Sequence, residues 1–71
     1  MGIITLISDF GTFYPAVMKA VIFGIAPHAS IVDVTHDISP QNVREAAFIL
    51  RETVKYFPRG TTHIAVVDPT V

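Results

Sequence analysis

Three short apolar runs, each followed by acidic or polar residues, constrain the fold of this chain more than any other feature. The runs are residues 3–8, 30–35 and 63–68, and isoleucine, valine and threonine dominate them. Runs of this kind are typical of parallel strands that are covered on both faces. Two longer segments with helical spacing separate them, so the sequence predicts an α/β fold, a βαβαβ parallel-sheet unit with right-handed crossovers.

The first intervening segment predicts a helix that begins near Pro15, because proline suits the first helical turn. Gly24 and the Ala26-Pro27 pair end this helix. The residues that share its apolar face at helical spacing are Val17, Ala20, Val21 and Ile25.

The second intervening segment predicts a helix with Ser39 as its N-cap and Pro40 at its first position. Its charged residues fall on one side and are expected to face solvent. The predicted apolar face, which would lie on the sheet, comprises Val43, Ala47, Leu50, Val54 and Phe57.

Composition excludes several classes of function. The formal net charge of −1 argues against a nucleic-acid partner, which would need a basic patch. No apolar stretch reaches the roughly 18 residues of a membrane span, and the start Met-Gly-Ile-Ile lacks the basic region of a signal peptide. With no cysteine as well, a cytoplasmic protein is expected. A chain of 71 residues that is 51% hydrophobic is best interpreted as a piece of a larger core.

The acidic residues at the strand ends are the candidate site, since ligands of parallel sheets bind outside the carboxyl ends of the strands. Asp9 precedes the Gly11 turn, where its two oxygens can accept hydrogen bonds from a vicinal diol such as a ribose. The alternative is a turn or helix-capping aspartate. Asp68 follows four apolar residues, where a carboxylate tends to have a perturbed pKa or a fixed cationic partner. The alternative is a turn aspartate before Pro69.

The histidines allow two interpretations. His36 ends the second run, where it would form a polar wall or act as a general base; alternatively, it is tied to backbone in a tight loop. The spacing of His28, His36 and His63 matches no known metal-ligand motif, so no metal site is expected. Phosphate-binding and serine or cysteine nucleophile motifs do not occur in the sequence.

Taken in order, the strand ends and the segments between them resemble a known family. They are similar to the N-terminal part of the S-adenosyl-L-methionine hydroxide adenosyltransferases, adenosine-forming hydrolases related to fluorinase and chlorinase. The resemblance covers nearly the whole chain. The matching segments are Ser8-Asp9-Phe10-Gly11-Thr12, the stretch from Ile31 to His36, the stretch from Pro40 to Ala47, the stretch from Tyr56 to Thr61, and Val66-Val67-Asp68-Pro69.

The resemblance implies that residues 1–71 are the N-terminal part of a three-layer α/β domain. In the family this domain is longer and is followed by a small β-barrel-like domain. It further implies a homotrimer that converts S-adenosyl-L-methionine to adenosine and L-methionine by attack of water or hydroxide at the ribose C5′, with no metal or other cofactor. The alternative function is a non-catalytic nucleoside-binding or structural α/β module.

The resemblance also implies roles for individual residues. Asp9 falls where the family's aspartate holds the ribose 2′- and 3′-hydroxyls, and Thr12 and Gln41 are implied to bind substrate. Asp68 falls where the hydrolases keep the catalytic aspartate of an Asp-Arg-His set, whose Arg and His would lie beyond Val71. The halogenases have a tyrosine at the position of Asp68, so this residue favours the hydrolase branch.

One segment departs from the family's pattern. Residues 13–17 are shorter than usual and lack the acidic residue that commonly follows Asp-Phe-Gly-Thr. In the halogenases that residue helps to hold the methionine end of the substrate, so the resemblance does not say how this chain would hold that end.

Overall fold

The computed structural model describes residues 2–68, which form a three-stranded sheet and two helices. The predicted α/β class and the βαβαβ order are confirmed. The elements are β1 (Ile3–Ser8), α1 (Tyr14–Ile25), β2 (Ser30–Thr35), α2 (Val43–Val54) and β3 (Thr62–Val66).

The sheet is parallel throughout, with the strand order β2-β1-β3. β1 is therefore the central strand, and its Leu6 and Ile7 are completely buried. Its pairing with β2 is irregular after Leu6: Leu6 pairs with Asp33, but Ile7 pairs with Thr35, so one residue of β2 is skipped. Because the strands are parallel, the segments that follow their last residues meet at one edge of the sheet.

The two helices lie on opposite faces of the sheet. Ala46 of α2 packs with Ile7 and Ile38 in the hydrophobic core. Lys19 of α1 instead contacts Asp33 of β2, which pairs with Leu6. Successive side chains of a strand point to opposite faces of the sheet, so Leu6 and Ile7 lie on different faces. Helix α1 is therefore on the Leu6 face, and α2 is on the Ile7 face. The result is the predicted three-layer arrangement.

The predicted start of α2 is wrong by several residues. Ser39 and Pro40 lie in the preceding loop, and Asn42 is the N-cap, its side-chain oxygen accepting a hydrogen bond from the backbone N–H of Glu45 at 2.9 Å. Gln41 has φ of 67°, a left-handed conformation that no helix continues through. The helix can therefore begin only after it.

The face that α2 turns towards the sheet also differs from the predicted one. Ala46 is buried, with Ile49 and Leu50 packed beside it, whereas Val43 and Val54 are 51% and 44% exposed. The contact face is thus rotated by about one position, to the side where the small Ala46 meets Ile7. Helical spacing identified an apolar side but not which part of it the sheet would cover.

The remaining boundaries agree more closely with expectation. Pro15 lies in the first turn of α1. β3 ends at Val66 rather than residue 68, because its pairing partner β1 ends at Ser8, opposite Val66. Within residues 2–68, no helix combines the length and hydropathy needed to cross a membrane.

Candidate functional site

The loop after β1 carries Asp9, and three hydrogen bonds tie this loop to the one after β2. The N–H of Gly11 donates to the carbonyl of His36 at 3.0 Å, and the N–H of Ile38 donates to the carbonyl of Ser8 at 3.3 Å. The third bond runs from the backbone N–H of Gln41 to Asp9 Oδ2 at 3.1 Å. The two loops therefore form one hydrogen-bonded unit, the loop unit, at the carboxyl edge of the sheet.

Backbone conformation allows this close approach. Gly11 has φ of 76°, which a glycine adopts without steric cost. Gln41 takes φ of 67° although it has a Cβ. A non-glycine residue in this region is uncommon and marks a backbone that its surroundings over-determine. Gln41 in this conformation donates its backbone N–H to the Asp9 carboxylate.

Asp9 is not the helix-capping residue of the alternative interpretation. The N-cap position of α1 is Phe13, which offers no capping side chain. Asp9 is half-buried and bridges two loops through one oxygen. A carboxylate has about four lone-pair sites, so acceptor capacity remains for a ligand.

His36 belongs to a set of side chains that we call the His36 network, consisting of Lys19, Asp33, His36 and Ser8. His36 Nδ1 lies 2.6 Å from Ser8 Oγ, and His36 Nε2 lies 2.7 Å from Asp33 Oδ1. Lys19 Nζ in turn pairs with Asp33 Oδ2. Side chains thus hold the ring, rather than the backbone contacts of the alternative interpretation.

The charges of the network alter the acidity of Asp33. Partial burial raises the pKa of this carboxyl, but hydrogen bonds and charge interactions with Lys19 and His36 outweigh burial, so the pKa lies below its ordinary value. Asp33 is therefore the ionised centre of the network at neutral pH, and it orients both cation and ring.

Thr12 lies on the rim of an open groove between α1 and the end of β2. The groove has a volume of about 860 Å³, and Lys19, Asp33 and His36 line its polar side. Pro15, Ala16 and Phe23 contribute apolar surface. Thr12 is exposed and only three residues beyond Asp9, so its hydroxyl is accessible near the loop unit.

Asp68 is exposed and lies two residues beyond the end of β3. β3 pairs directly with β1, so Asp68 follows one strand and Asp9 follows the neighbouring strand. The structure thus brings Asp9 and Gln41 into contact, with Thr12 close by in sequence and Asp68 on the adjacent strand end. Pro69, which completes the sequence motif, lies outside the described residues.

Within residues 2–68, no cluster of three or more His, Asp or Glu side chains is arranged to hold a metal ion. His63 is on the other face of the sheet, where its Nδ1 lies 2.7 Å from Thr5 Oγ1. The three histidines therefore do not form a common set.

Sequence reasoning did not single out Lys19, Asp33 or Ser8. One signal was present, because Asp33 is a charged residue among the apolar residues of β2. A carboxylate in such a strand needs a partner. Nothing in the spacing identified Lys19 of α1 as that partner.

Comparison with known proteins identifies the family. Residues 4–71 match the family model described as the SAM hydroxide adenosyltransferase N-terminal domain. The chain belongs to the SAM hydroxide adenosyltransferase family. The family resemblance seen in the motifs is thereby confirmed.

The curated relatives carry two names. The (R)-S-adenosyl-L-methionine hydrolase of Thermus thermophilus is 46% identical over 67 residues, 92% of this chain and 26% of the relative. The enzyme of the same name from Methanocaldococcus jannaschii is 42% identical over 77 aligned positions, 100% of this chain and 29% of the relative. A fluorinase from Actinoplanes sp. is 35% identical and covers 94% of this chain and 23% of the relative.

Solved structures show the same fold. A conserved uncharacterized protein from Thermotoga maritima superposes with a TM-score of 0.87 at 42% identity, covering 92% of this chain and 26% of that one. A conserved hypothetical protein from Thermus thermophilus gives a TM-score of 0.86 at 44% identity, with 97% and 30% covered. The chain therefore spans only about a quarter to a third of the length of these relatives.

Proposed function

We propose that the intact protein hydrolyses S-adenosyl-L-methionine to adenosine and L-methionine, and that this chain supplies the sugar-binding loop and one catalytic carboxylate. The observation that carries the proposal is the Asp9 carboxylate, held by Gln41 at the carboxyl edge of a parallel sheet. Relatives named (R)-S-adenosyl-L-methionine hydrolase match nearly all of this chain, which supports the same substrate.

Asp9 binds the ribose in this proposal. Its carboxylate accepts hydrogen bonds from the 2′- and 3′-hydroxyls while Gln41 N–H fixes its orientation. Bonds to a charged acceptor are stronger than neutral ones, and a carboxylate matches two neighbouring hydroxyls. Thr12 and the side chain of Gln41 contribute polar groups around the same loop unit.

Asp68 serves the chemical step. It orients the attacking water or hydroxide and accepts a hydrogen bond from it. A C5′–O bond forms as the C5′–S bond breaks, and the bonding electron pair passes to the methionine sulfur. When water is the nucleophile, its proton passes to bulk solvent. The sulfonium is already a good leaving group, so orientation, in-line alignment and partial desolvation of the nucleophile are the main tasks.

The remaining parts of the proposal concern the whole protein. Residues 1–71 form the N-terminal part of a larger α/β domain, followed by a small β domain, in a homotrimer that acts in the cytoplasm without metal or cofactor. The exposed apolar residues of both helices support further covering surfaces.

Product analysis tests the function. The intact natural protein is incubated with S-adenosyl-L-methionine, with and without chloride or fluoride, and the products are separated by liquid chromatography. We expect adenosine and L-methionine in equal amounts, independent of halide. A halogenated nucleoside would assign the protein to the halogenase branch, and unchanged substrate would favour a nucleoside-binding module.

A further inference from the structure

We propose that His36 is a positioning residue for Asp9, acting through the hydroxyl of Ser8. The proposal rests on the proposed function, in which Asp9 holds the sugar. In this proposal His36 does not contact the substrate. It fixes the backbone of Ser8 and Phe10, the residues on either side of Asp9, and Asp9 is the residue that contacts the sugar.

The hydroxyl of Ser8 is the link between His36 and the Asp9 loop. Ser8 is completely buried, and its Oγ accepts a hydrogen bond from the N–H of Phe10 at 3.2 Å. The same Oγ lies 2.6 Å from His36 Nδ1. Ser8 and Phe10 flank Asp9 directly, so one hydroxyl sets the turn in which the carboxylate sits.

The contacts of His36 and Ser8 form one continuous chain. His36 Nε2 contacts Asp33 Oδ1, and His36 Nδ1 contacts Ser8 Oγ. Ser8 Oγ in turn accepts from the N–H of Phe10. Both ring nitrogens therefore have a hydrogen-bonding partner, and the ring is held at both.

The far end of the network holds the ring in place. The His36 side chain is 13% exposed, and its Nε2 contacts Asp33. Lys19 of α1 forms an ion pair with the same Asp33 carboxylate. The ring therefore cannot turn without breaking a charge-assisted bond. The backbone of His36 adds to this arrangement, because its carbonyl accepts from Gly11 N–H in the Asp9 loop.

The chain contains a matched control pair. Thr5 and His63 form a similar pair of a buried strand hydroxyl and a histidine Nδ1, at 2.7 Å. Thr5 lies three residues before Ser8 on the same strand and therefore points to the opposite face. The His63 ring packs edge-on against Phe57, with ring centroids 5.8 Å apart, and no described hydrogen bond of this pair reaches the Asp9 loop.

The test is a double-mutant cycle in the intact natural protein, read by calorimetric titration with adenosine. In His36→Gln, the glutamine amide can still reach Asp33 but no longer offers a hydrogen-bonding group at the position of Nδ1. Losing one such buried hydrogen bond is expected to weaken adenosine binding about tenfold. His63→Gln should change the affinity by less than about twofold, since its hydrogen bond lies on the other face.

The second arm repeats His36→Gln in an Asp9→Ala background. Since His36 is proposed to act only through Asp9, His36→Gln should not weaken adenosine binding any further in a protein that already carries Asp9→Ala. An equal tenfold loss in that background, or an equal loss from His63→Gln, would show a general structural effect and overturn the proposal.

Two conservative variants cover the case in which His36→Gln does not fold. In His36→Asn the side-chain amide stands near the position of Nδ1 and keeps the Ser8 contact, so most of the affinity should return. Lys19→Met removes the ion pair at a side chain that is one-third exposed, and a loss of about twofold to fivefold, again dependent on Asp9, is expected. Binding at wild-type strength in Lys19→Met together with no recovery in His36→Asn contradicts the proposal.

The outcomes separate this inference from the proposed function. If the wild-type protein does not bind adenosine, both fail. If binding requires Asp9 but is unaffected by replacing His36, the proposed function stands and the positioning role of His36 is wrong.

Discussion

The carboxylate of Asp9 accepts a hydrogen bond from the backbone N–H of Gln41 at 3.1 Å, across two loops that lie 32 residues apart in the chain. The contact fixes the side chain that is proposed to hold the ribose before any ligand binds. Preorganisation of this kind reduces the entropy that binding would otherwise cost. Gln41 makes this contact in a backbone conformation that is unusual for a residue with a Cβ.

Replacing Asp9 should weaken nucleoside binding in two separable ways. Asp9→Ala removes both the sugar contact and the Gln41 contact, and a loss of about 1.5–3 kcal/mol in adenosine affinity is expected for charge-assisted bonds. Asp9→Asn keeps an oxygen for Gln41 N–H but loses the charge. It should retain the wild-type stability while losing part of the affinity, as measured by calorimetry and thermal unfolding. Wild-type affinity in Asp9→Ala would remove Asp9 from the site.

Replacing Asp68 should affect turnover more than binding. Asp68→Asn preserves size but removes the charge that is proposed to orient the nucleophile. In the intact protein, kcat and kcat/KM should fall together with KM nearly unchanged, because the interaction lost is one made in the transition state. Glu52→Gln, an exposed carboxylate paired with Lys55 on α2, is the control and should leave both parameters unchanged. A rise in KM alone would make Asp68 a binding residue.

Asp33 should make stability depend on pH in the acidic range. Its folded-state pKa is below the ordinary value of 3.8. A lowered pKa contributes stability that is fully present above the ordinary value and is lost as the pH falls through the folded value. The difference in the free energy of unfolding between wild type and Asp33→Asn should therefore shrink on acidification below 3.8. A difference that stays constant across this range would contradict the network's charge pattern.

The 71 residues expressed alone should not form a stable monomer. Ile25 of α1 is 81% exposed, and Val21 and Phe48 are also largely exposed. Such apolar surface favours association over a folded monomer. Gel filtration and thermal melting should show aggregation or a non-cooperative transition, and Val21→Lys with Ile25→Lys should reduce the aggregation. A monodisperse 7.8 kDa species that melts cooperatively would prove this wrong.

Sequence pattern predicted the sheet and the edge at which the candidate residues lie, because strand composition and the polar residues at strand ends depend on local chemistry. It failed where long-range contacts decide the outcome. Gln41 contacts Asp9 and has a left-handed conformation, so α2 begins after Gln41 and not at Ser39 or Pro40. The pairing of Lys19 with Asp33 likewise depends on how α1 crosses the sheet, and spacing along one helix does not contain that information.

The central claim is that water attacks C5′ of S-adenosyl-L-methionine, and isotope labelling tests it most directly. The intact natural protein turns over the substrate in water enriched with oxygen-18, and mass spectrometry locates the label. We predict that the label appears in the 5′-hydroxyl of adenosine and is absent from methionine. Adenosine without the label, or a product in which the C5′–S bond is intact, would contradict it.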